Sequence, residues 1–322
     1  MLFNIALLTA GIALLVWSAD RFTEGAAAIA SNLGVSRLVV GLTIVAIGSS
    51  APEILVSVMA SLRGNHQLAV GNALGSNIAN VGMVLGITAL VRPLVVDSGT
   101  LRREIPILLG VMAAAGLLLW DLDLGMFDGT VLLLGLVIYI FWLIMLGTRS
   151  RVNQDLMLQE IVEELPDAMS TGKAVFWTVA GGTLLIFSSD IMVDGATGIA
   201  RHFGVSDLII GLTVVAIGTS LPELAASVAG VLKNEHEIAI GNVIGSNIFN
   251  LLAVMGLPGV LGGVVLDESV LSRDFLLMLG LAVAMTTMAY RRKGPGKINR
   301  IEGTMLLLVF IGYQYFLYYG GA

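Results

Sequence analysis

Two stretches of the chain, GLTIVAIGSSAPE from Gly41 to Glu53 and GLTVVAIGTSLPE from Gly211 to Glu223, set a helix breaker beside a carboxylate within otherwise apolar sequence. A proline has no N–H and presses on the carbonyl four residues earlier. Pro52 is therefore predicted to free the carbonyl of Gly48 and loosen its neighbours from Ala46 to Ser49, and Pro222 to do the same around Gly218. At 3.6 residues per turn, Ala46, Ser49 or Ser50, Glu53 and Ser57 share one helix face. Ala216, Thr219 or Ser220, Glu223 and Ser227 do likewise. The apolar run after each stretch adds Asn72, Ser76 and Asn80, spaced by four, and then Asn242, Ser246 and Asn250. All of these donors are oxygens, which select Ca²⁺, Mg²⁺ or Na⁺ over softer metals. Two glutamates carry two negative charges, which one Ca²⁺ or two Na⁺ would neutralise. A site satisfied by either occupant, but not by both at full charge, is a physical basis for exchange.

Other chemistries fit parts of the pattern. Glu53 and Glu223 could be neutral, hydrogen-bonded structural acids or a proton relay, and the Asn/Ser stripe could be interhelical hydrogen bonding. Asn72 and Asn242 read mainly as packing residues. Gly71-xxx-Gly75 and Gly241-xxx-Gly245 read as small-residue faces that let the third and eighth spans approach closely. Asp20 and Asp190 read as solvated helix ends, and Asp121, Asp123 and Asp128 as a solvated outer turn. A cation channel would also want intramembrane acids, but would more usually show subunit symmetry around a pore. An intramembrane hydrolase using Ser49 or Ser50 finds no histidine or lysine at membrane depth as its base, so the chain does not read as an enzyme.

The elements that must position these residues are membrane helices. The chain of 322 residues is 57% hydrophobic and 12% charged, a membrane composition. A spanning helix needs ~20 mostly apolar residues. Ten candidates satisfy this: 2–19 (extending toward 30), 38–62, 67–91, 105–120, 125–147, 173–189 (again extendable), 207–232, 237–263, 275–290 and 303–320. They are too long and too uniformly apolar for barrel strands. With no cysteine, disulfides and thiolate metal sites are absent, and His66, His202 and His236 fall at segment ends. MLFN lacks the basic start of a signal peptide, so the first span is retained. Nothing points to a cofactor, nucleic acid or an obligate protein partner.

Residues 18–80 align with 188–250 at a constant offset of 170, without a gap and with 32 identities in 63 positions. AVGNALGSNIAN at 69–80 returns as AIGNVIGSNIFN at 239–250. Each copy holds five spans, so the second should enter the membrane inverted. The expected fold is all-α and polytopic: ten transmembrane helices as two inverted-topology five-helix repeats, at 1–147 and 173–322, with an ion site near the midplane where the repeats meet. Residues 148–172 form a hydrophilic connection, read as a solvated linker. Of seventeen Lys and Arg, fourteen fall in loops after odd-numbered spans. Those loops and the 148–172 linker are therefore expected in the cytoplasm, with both termini outside.

GLTIVAIGSSAPE with GNALGSNIAN, repeated as GLTVVAIGTSLPE with GNVIGSNIFN, resembles the α-repeats of the sodium/calcium exchanger family, within the wider calcium/cation antiporters. Prokaryotic members are similar in size, so the expected location is the prokaryotic plasma membrane. The resemblance covers nearly the whole chain. It implies Na⁺/Ca²⁺ antiport by alternating access, with four cation sites in a diamond between spans two, three, seven and eight. It implies that Glu53 and Glu223 bind Ca²⁺ bidentately beside main-chain oxygens of Ser49 and Thr219. Ala46, Ala216, Ser50, Ser220, Ser76 and Ser246 would contribute to sodium sites. Asn80 matches a family amide, whereas Asn250 stands where archaeal relatives carry an aspartate. Spans one and six would slide across a fixed core. Ca²⁺/H⁺ exchange and K⁺-dependent Na⁺/Ca²⁺ exchange are the alternatives within the same superfamily.

Overall fold

A computed structural model describes residues 1–96, 99, 101–149, 156–163, 165, 169–289 and 296–320. The chain is helical almost throughout. In order come α1 (Leu2–Asn32), α2 (Arg37–Ser49), α3 (Ala51–Leu62), α4 (His66–Val91), α5 (Leu101–Leu118), α6 (Met126–Arg149), α7 (Leu156–Glu163), α8 (Thr171–Phe203), α9 (Asp207–Leu232), α10 (His236–Leu261), α11 (Val270–Ala289) and α12 (Arg300–Gly320). Among the described residues, four short strands interrupt the all-helical expectation: β1 (Leu94–Val96), β2 (Asp123–Leu124), β3 (Val264–Val265) and β4 (Gly296–Ile298). Each antiparallel ribbon, β1 with β4 and β2 with β3, ties the first half of the chain to the second.

Among the described residues, eight helices are long and apolar enough to cross a membrane, or nine when α2 and α3 count as one span bent by 45°. The chain is an integral membrane protein on that ground. α5 has spanning length but carries Arg102, Arg103 and Glu104 in its first turn. α1 and α8 extend well beyond the apolar stretches that announced them; at 31 residues α1 is roughly 46 Å long.

Burial sorts the helices. Residues 68–86 of α4 are buried without a break. Its partner α10 is nearly as enclosed, with Phe249 the largest fully buried side chain. α6 and α12 turn Leu134, Val137, Phe141, Leu308 and Tyr315 outward, as lipid-facing helices do. A helix buried on all sides can carry polar groups only where neighbours or ions meet them. α4 and α10 carry all six Asn and Ser residues of the sequence stripe.

α1 and α8 pack closely along their length through glycines. A Cβ on Gly11 would lie 2.9 Å from the Met192 backbone, one on Gly25 2.7 Å from Thr178, one on Gly181 2.7 Å from Phe22, and one on Gly195 2.6 Å from Leu8. Residues late in one helix meet residues early in the other, so these two helices, equivalent under the 170-residue offset, run antiparallel.

The offset also recurs in fine structure. π-helical turns occupy Gly41–Val45 and Gly211–Val215, and again Asn80–Leu85 and Asn250–Val254. Ser36 and Ser206 cap the equivalent helix starts, accepting from the N–H of Val39 and of Ile209 at 3.3 Å.

The described part of the linker departs from its reading as a solvated connection. α7 buries Met157 and Leu158. The Glu160 carboxylate accepts the Ile238 N–H at 2.8 Å, and the Val162 carbonyl accepts from Arg37 at 3.1 Å. Its acidic residues are thus joined to apolar ones at helical spacing, and the helix lies against the starts of α2 and α10.

Candidate functional site

The two prolines do not kink a continuous helix; each starts a new one. Ser50, at φ −89° and ψ 4°, closes α2 and precedes α3, so Pro52 falls in a first turn where its missing N–H costs nothing. Ser220 and Pro222 repeat this arrangement within α9. The Gly48 and Gly218 carbonyls expected to be freed instead each accept a backbone N–H at the helix cap. The Ala46 and Ala216 carbonyls accept from the hydroxyls of Ser49 at 3.0 Å and Thr219 at 3.3 Å. Glu53 and Glu223 therefore stand in the first turn of a helix segment, where the helix dipole favours a carboxylate. Both are fully buried.

Hydrogen bonds within each repeat fasten the acids, and others between the repeats join the two networks. Asn72 donates to the Glu53 carbonyl at 3.1 Å, and its Oδ1 accepts from Thr219 at 3.2 Å. Ser76 lies 3.3 Å from the Thr219 hydroxyl. On the other side, Asn242 donates to the Glu223 carbonyl at 3.5 Å, Ser246 to Glu223 Oε1 at 3.4 Å, and Ser50 to Ser246 at 3.4 Å. Asn72 and Asn242 thus act as the interhelical fasteners expected of them. They position the backbone of the very residues that bear the charge.

After these bonds, a set of oxygens is left over. Both carboxylate oxygens of Glu53, Oε2 of Glu223, the Ser220 hydroxyl, Asn80 Oδ1 and Asn250 Oδ1 are buried without a hydrogen-bond partner. An ionised carboxylate buried without a partner costs several kcal/mol. Leftover oxygens of this type and charge fit hard cations as cargo.

Of the expected site residues, Glu53, Ser50, Ser76, Thr219, Glu223 and Ser246 fall within these two networks through their side chains or backbone. Ala46, Ser49 and Ser246 line a cavity of about 250 Å³ between α2, α7 and α10. Ala216 lies within 2.7 Å of where a Cβ on Gly75 would stand. Asn80 donates to Asn247 Oδ1 at 3.1 Å, whereas Asn250 makes no side-chain hydrogen bond.

The glycine pairs behave differently from one another. Gly71 and Gly75 pack against α9: a Cβ on Gly75 would stand 2.7 Å from Leu212 Cα. Gly71 thus meets span seven rather than span eight. Gly245, the equivalent of Gly75, has open space where its Cβ would be, and with Gly241 it lines the 250 Å³ cavity. One interface is sealed and its repeat-related counterpart is open.

Asp20 and Asp190 are not simply solvated helix ends. Asp20 lies inside the long α1, 3.3 Å from Arg21. Asp190 pairs with Arg63 at 2.5 Å, and Asp194 pairs with the same arginine. Asp121 lies in a turn, Asp123 opens β2 and Asp128 sits in the first turn of α6; Asp121 accepts the Asp123 N–H and Asp128 the Gly125 N–H.

The sequence reading missed Asn77 and Asn247, both fully buried. It also missed Glu104 and Asp274, equivalent acids that are both buried; Asp274 binds Arg273 at 2.6 Å and Tyr313 at 2.7 Å. The 170-residue offset links each of these pairs and was the signal available to find them.

A family described as sodium/calcium exchanger protein matches residues 3–145 and 173–319. CaxA of Alkalimonas amylolytica, which carries the name of an antiporter, is 48% identical over 99% of both chains. The sodium/calcium exchanger MaX1 of Methanosarcina acetivorans is 30% identical over 98% of this chain and 99% of its own. A structure of the sodium-calcium exchanger NCX_Mj soaked with Na⁺ and Sr²⁺ is 30% identical, covers 96% of this chain and 97% of its own, and superposes with a TM-score of 0.66.

Proposed function

The chain belongs to the sodium/calcium exchanger protein family, and on that premise we propose that this cation antiporter exchanges Na⁺ for Ca²⁺ by alternating access. Glu53 and Glu223 hold the ions at the crossing of α2, α3, α4, α9 and α10. The observation that carries this reading is the set of leftover oxygens around two fully buried carboxylates. Ser49, Ser50, Thr219, Ser220, Ala46, Ala216, Ser76, Ser246, Asn80 and Asn250 supply further oxygens, hydroxyl, main-chain or amide.

Alternating access is supported by the unequal glycine interfaces. At the α2–α10 face the cavity leads from α7 to Ser49 and Ser246, while the α4–α9 face is shut at Gly71 and Gly75. At the opposite end of α3 from α7, Arg63 joins the core to Asp190 and Asp194 of α8. In the inverted state the two faces would exchange roles. The close, antiparallel α1–α8 pair, joined through glycine, is suited to move as one body.

Inverted topology is the natural partner of this reading, with ten spans in two five-helix units, α5 and the α2–α3 pair included. The repeats at 1–147 and 173–322, the cytoplasmic 148–172 linker, both termini outside and a plasma-membrane location belong to the same proposal. Single cysteines at Gly64 and Asn234, equivalent loop positions, should label from opposite membrane sides. Labelling from one side would overturn the inversion.

The decisive experiment is ⁴⁵Ca²⁺ uptake into vesicles of purified protein, driven in turn by an outward Na⁺, K⁺ or H⁺ gradient. Uptake with Na⁺ alone is expected. Uptake only with a proton gradient would make the chain a Ca²⁺/H⁺ exchanger. A requirement for K⁺ together with Na⁺ would make it a K⁺-dependent exchanger, and flux without any counter-ion a channel.

Asn250 gives a sharper test of the donor set. With amides at both 80 and 250, the site relies on two acids for charge. Asn250→Asp adds a titratable group there, and Ca²⁺ flux should become more sensitive to acid than in the parent between pH 9 and pH 6. Asn250→Leu should slow exchange more than Asn72→Leu. Parental flux across that pH range for both Asn250 variants would remove the residue from the ion path.

A further inference from the structure

Asn77 and Asn247 are equivalent under the 170-residue offset, and both are fully buried on the central helices α4 and α10. Each follows the serine of its GSN motif, so each points away from the Asn/Ser stripe, about 100° round the helix. Their bonds differ. The Asn77 amide donates to the thioether of Met278 on α11 at 3.3 Å. Asn247 Oδ1 instead receives the amide of Asn80 at 3.1 Å.

The sequence supplies a reason for the difference. The position equivalent to Met278 is Leu108 on α5, which packs against α10. Arg103 with Arg273 and Glu104 with Asp274 keep the same offset through that region. Leucine has no acceptor, so the Asn247 NH₂ finds no thioether on its own side and is unpartnered, while its Oδ1 meets Asn80 across the repeat boundary. A primary amide has one acceptor end and one donor end. With its NH₂ held by Asn247, Asn80 is left with an Oδ1 that is buried and unpartnered. Asn250 has no such clasp: Asn77, the counterpart of Asn247, donates to Met278, and its own Oδ1 is unpartnered. Both ends of the Asn250 amide are unpartnered.

We infer that Asn247 is a positioning residue for transport: it fixes the Asn80 amide with its oxygen available to a cation, while the Asn250 amide is left free to turn. The central site is then unequal, with one preset neutral oxygen contributed by the first repeat. The inference rests on Asn80 being an ion donor, as proposed above.

The test is Na⁺-driven ⁴⁵Ca²⁺ uptake by reconstituted protein, read as half-saturating Ca²⁺ and maximal rate separately. Losing a hydrogen bond that orders a ligand should raise half-saturating Ca²⁺ in Asn247→Ala about fivefold, with the maximal rate little changed. Asn80→Ala should raise it at least as much, and Asn80→Ala/Asn247→Ala no further than Asn80→Ala alone. Asn247→Leu removes the acceptor at similar side-chain volume, and its half-saturating Ca²⁺ decides the matter if Asn247→Ala does not fold. Parental half-saturation in the Asn247 variant alongside a shift in Asn80→Ala would overturn the positioning role, as would independent effects that multiply in the double variant. No shift in Asn80→Ala would overturn the donor reading itself.

Discussion

Glu53→Gln and Glu223→Gln should each abolish Ca²⁺ transport while leaving a folded, membrane-inserted protein. Each acid is fully buried, and between them only one carboxylate oxygen accepts a side-chain hydrogen bond, Glu223 Oε1 from Ser246. Removing one of two charges leaves a divalent cation half-neutralised in a medium of low dielectric. The cost of such an uncompensated buried charge is ~3–5 kcal/mol, more than a hundredfold in affinity. The folded protein without Ca²⁺ should not suffer, because the substitution also removes a buried charge whose oxygens accept at most one side-chain hydrogen bond. Thermal melts with and without Ca²⁺ separate these effects. At a hundredfold excess over its Kd, a ligand stabilises the native state by ~2.7 kcal/mol. The parent should gain this Ca²⁺-dependent rise in Tm, and both variants should lose it while melting near the ion-free parent. Near-normal Ca²⁺ exchange in both would sink the assignment of the two glutamates.

The same substitution at two repeat-related glycines should give opposite results. Gly75→Leu places a side chain where even a Cβ would stand 2.7 Å from Leu212 Cα and Ala216 Cβ. Overpacking usually costs ~1–3 kcal/mol, and a clash with backbone lies at or above the upper end. The variant must either lose stability or part α4 from α9. Gly245→Leu meets open space and should melt within ~0.5 kcal/mol of the parent. If transport requires that open face to close, Gly245→Leu should still show Ca²⁺-dependent stabilisation yet transport almost nothing. Turnover at the parental rate in Gly245→Leu would mean that the cavity beside α10 does not close during transport.

Much of this was legible without coordinates, for a physical reason. Hydrocarbon offers no hydrogen bonds, so a segment that crosses it must be apolar, long and helical, and every exception stands out. Glu53 and Glu223 beside proline were such exceptions, as was the stripe of Asn72, Ser76 and Asn80. The helices appear close to their announced positions, and duplication made each signal appear twice at a fixed offset. The sequence also carried family membership, because the paired motifs are long and the match runs nearly end to end.

What only the tertiary structure decided is how two related repeats differ. Repetition predicts equal environments for Gly75 and Gly245, for Asn77 and Asn247, and for Asn80 and Asn250. One packed arrangement cannot satisfy both members of a pair alike when one face is sealed and the other open. Gly75 is shut against Leu212 while Gly245 borders a cavity, and Asn80 is clasped while Asn250 is not. The fate of the Gly48 carbonyl depended on whether proline kinks a helix or begins one, which φ and ψ at Ser50 settled. The 148–172 linker reads as polar because charge dominates its composition. Its apolar residues at 157, 158 and 161 acquire meaning only beside Gly41, Arg37 and Ile238, more than a hundred residues before and some eighty after in the chain. Local pattern determines which residues must leave lipid; the distant partners that receive them are set by packing.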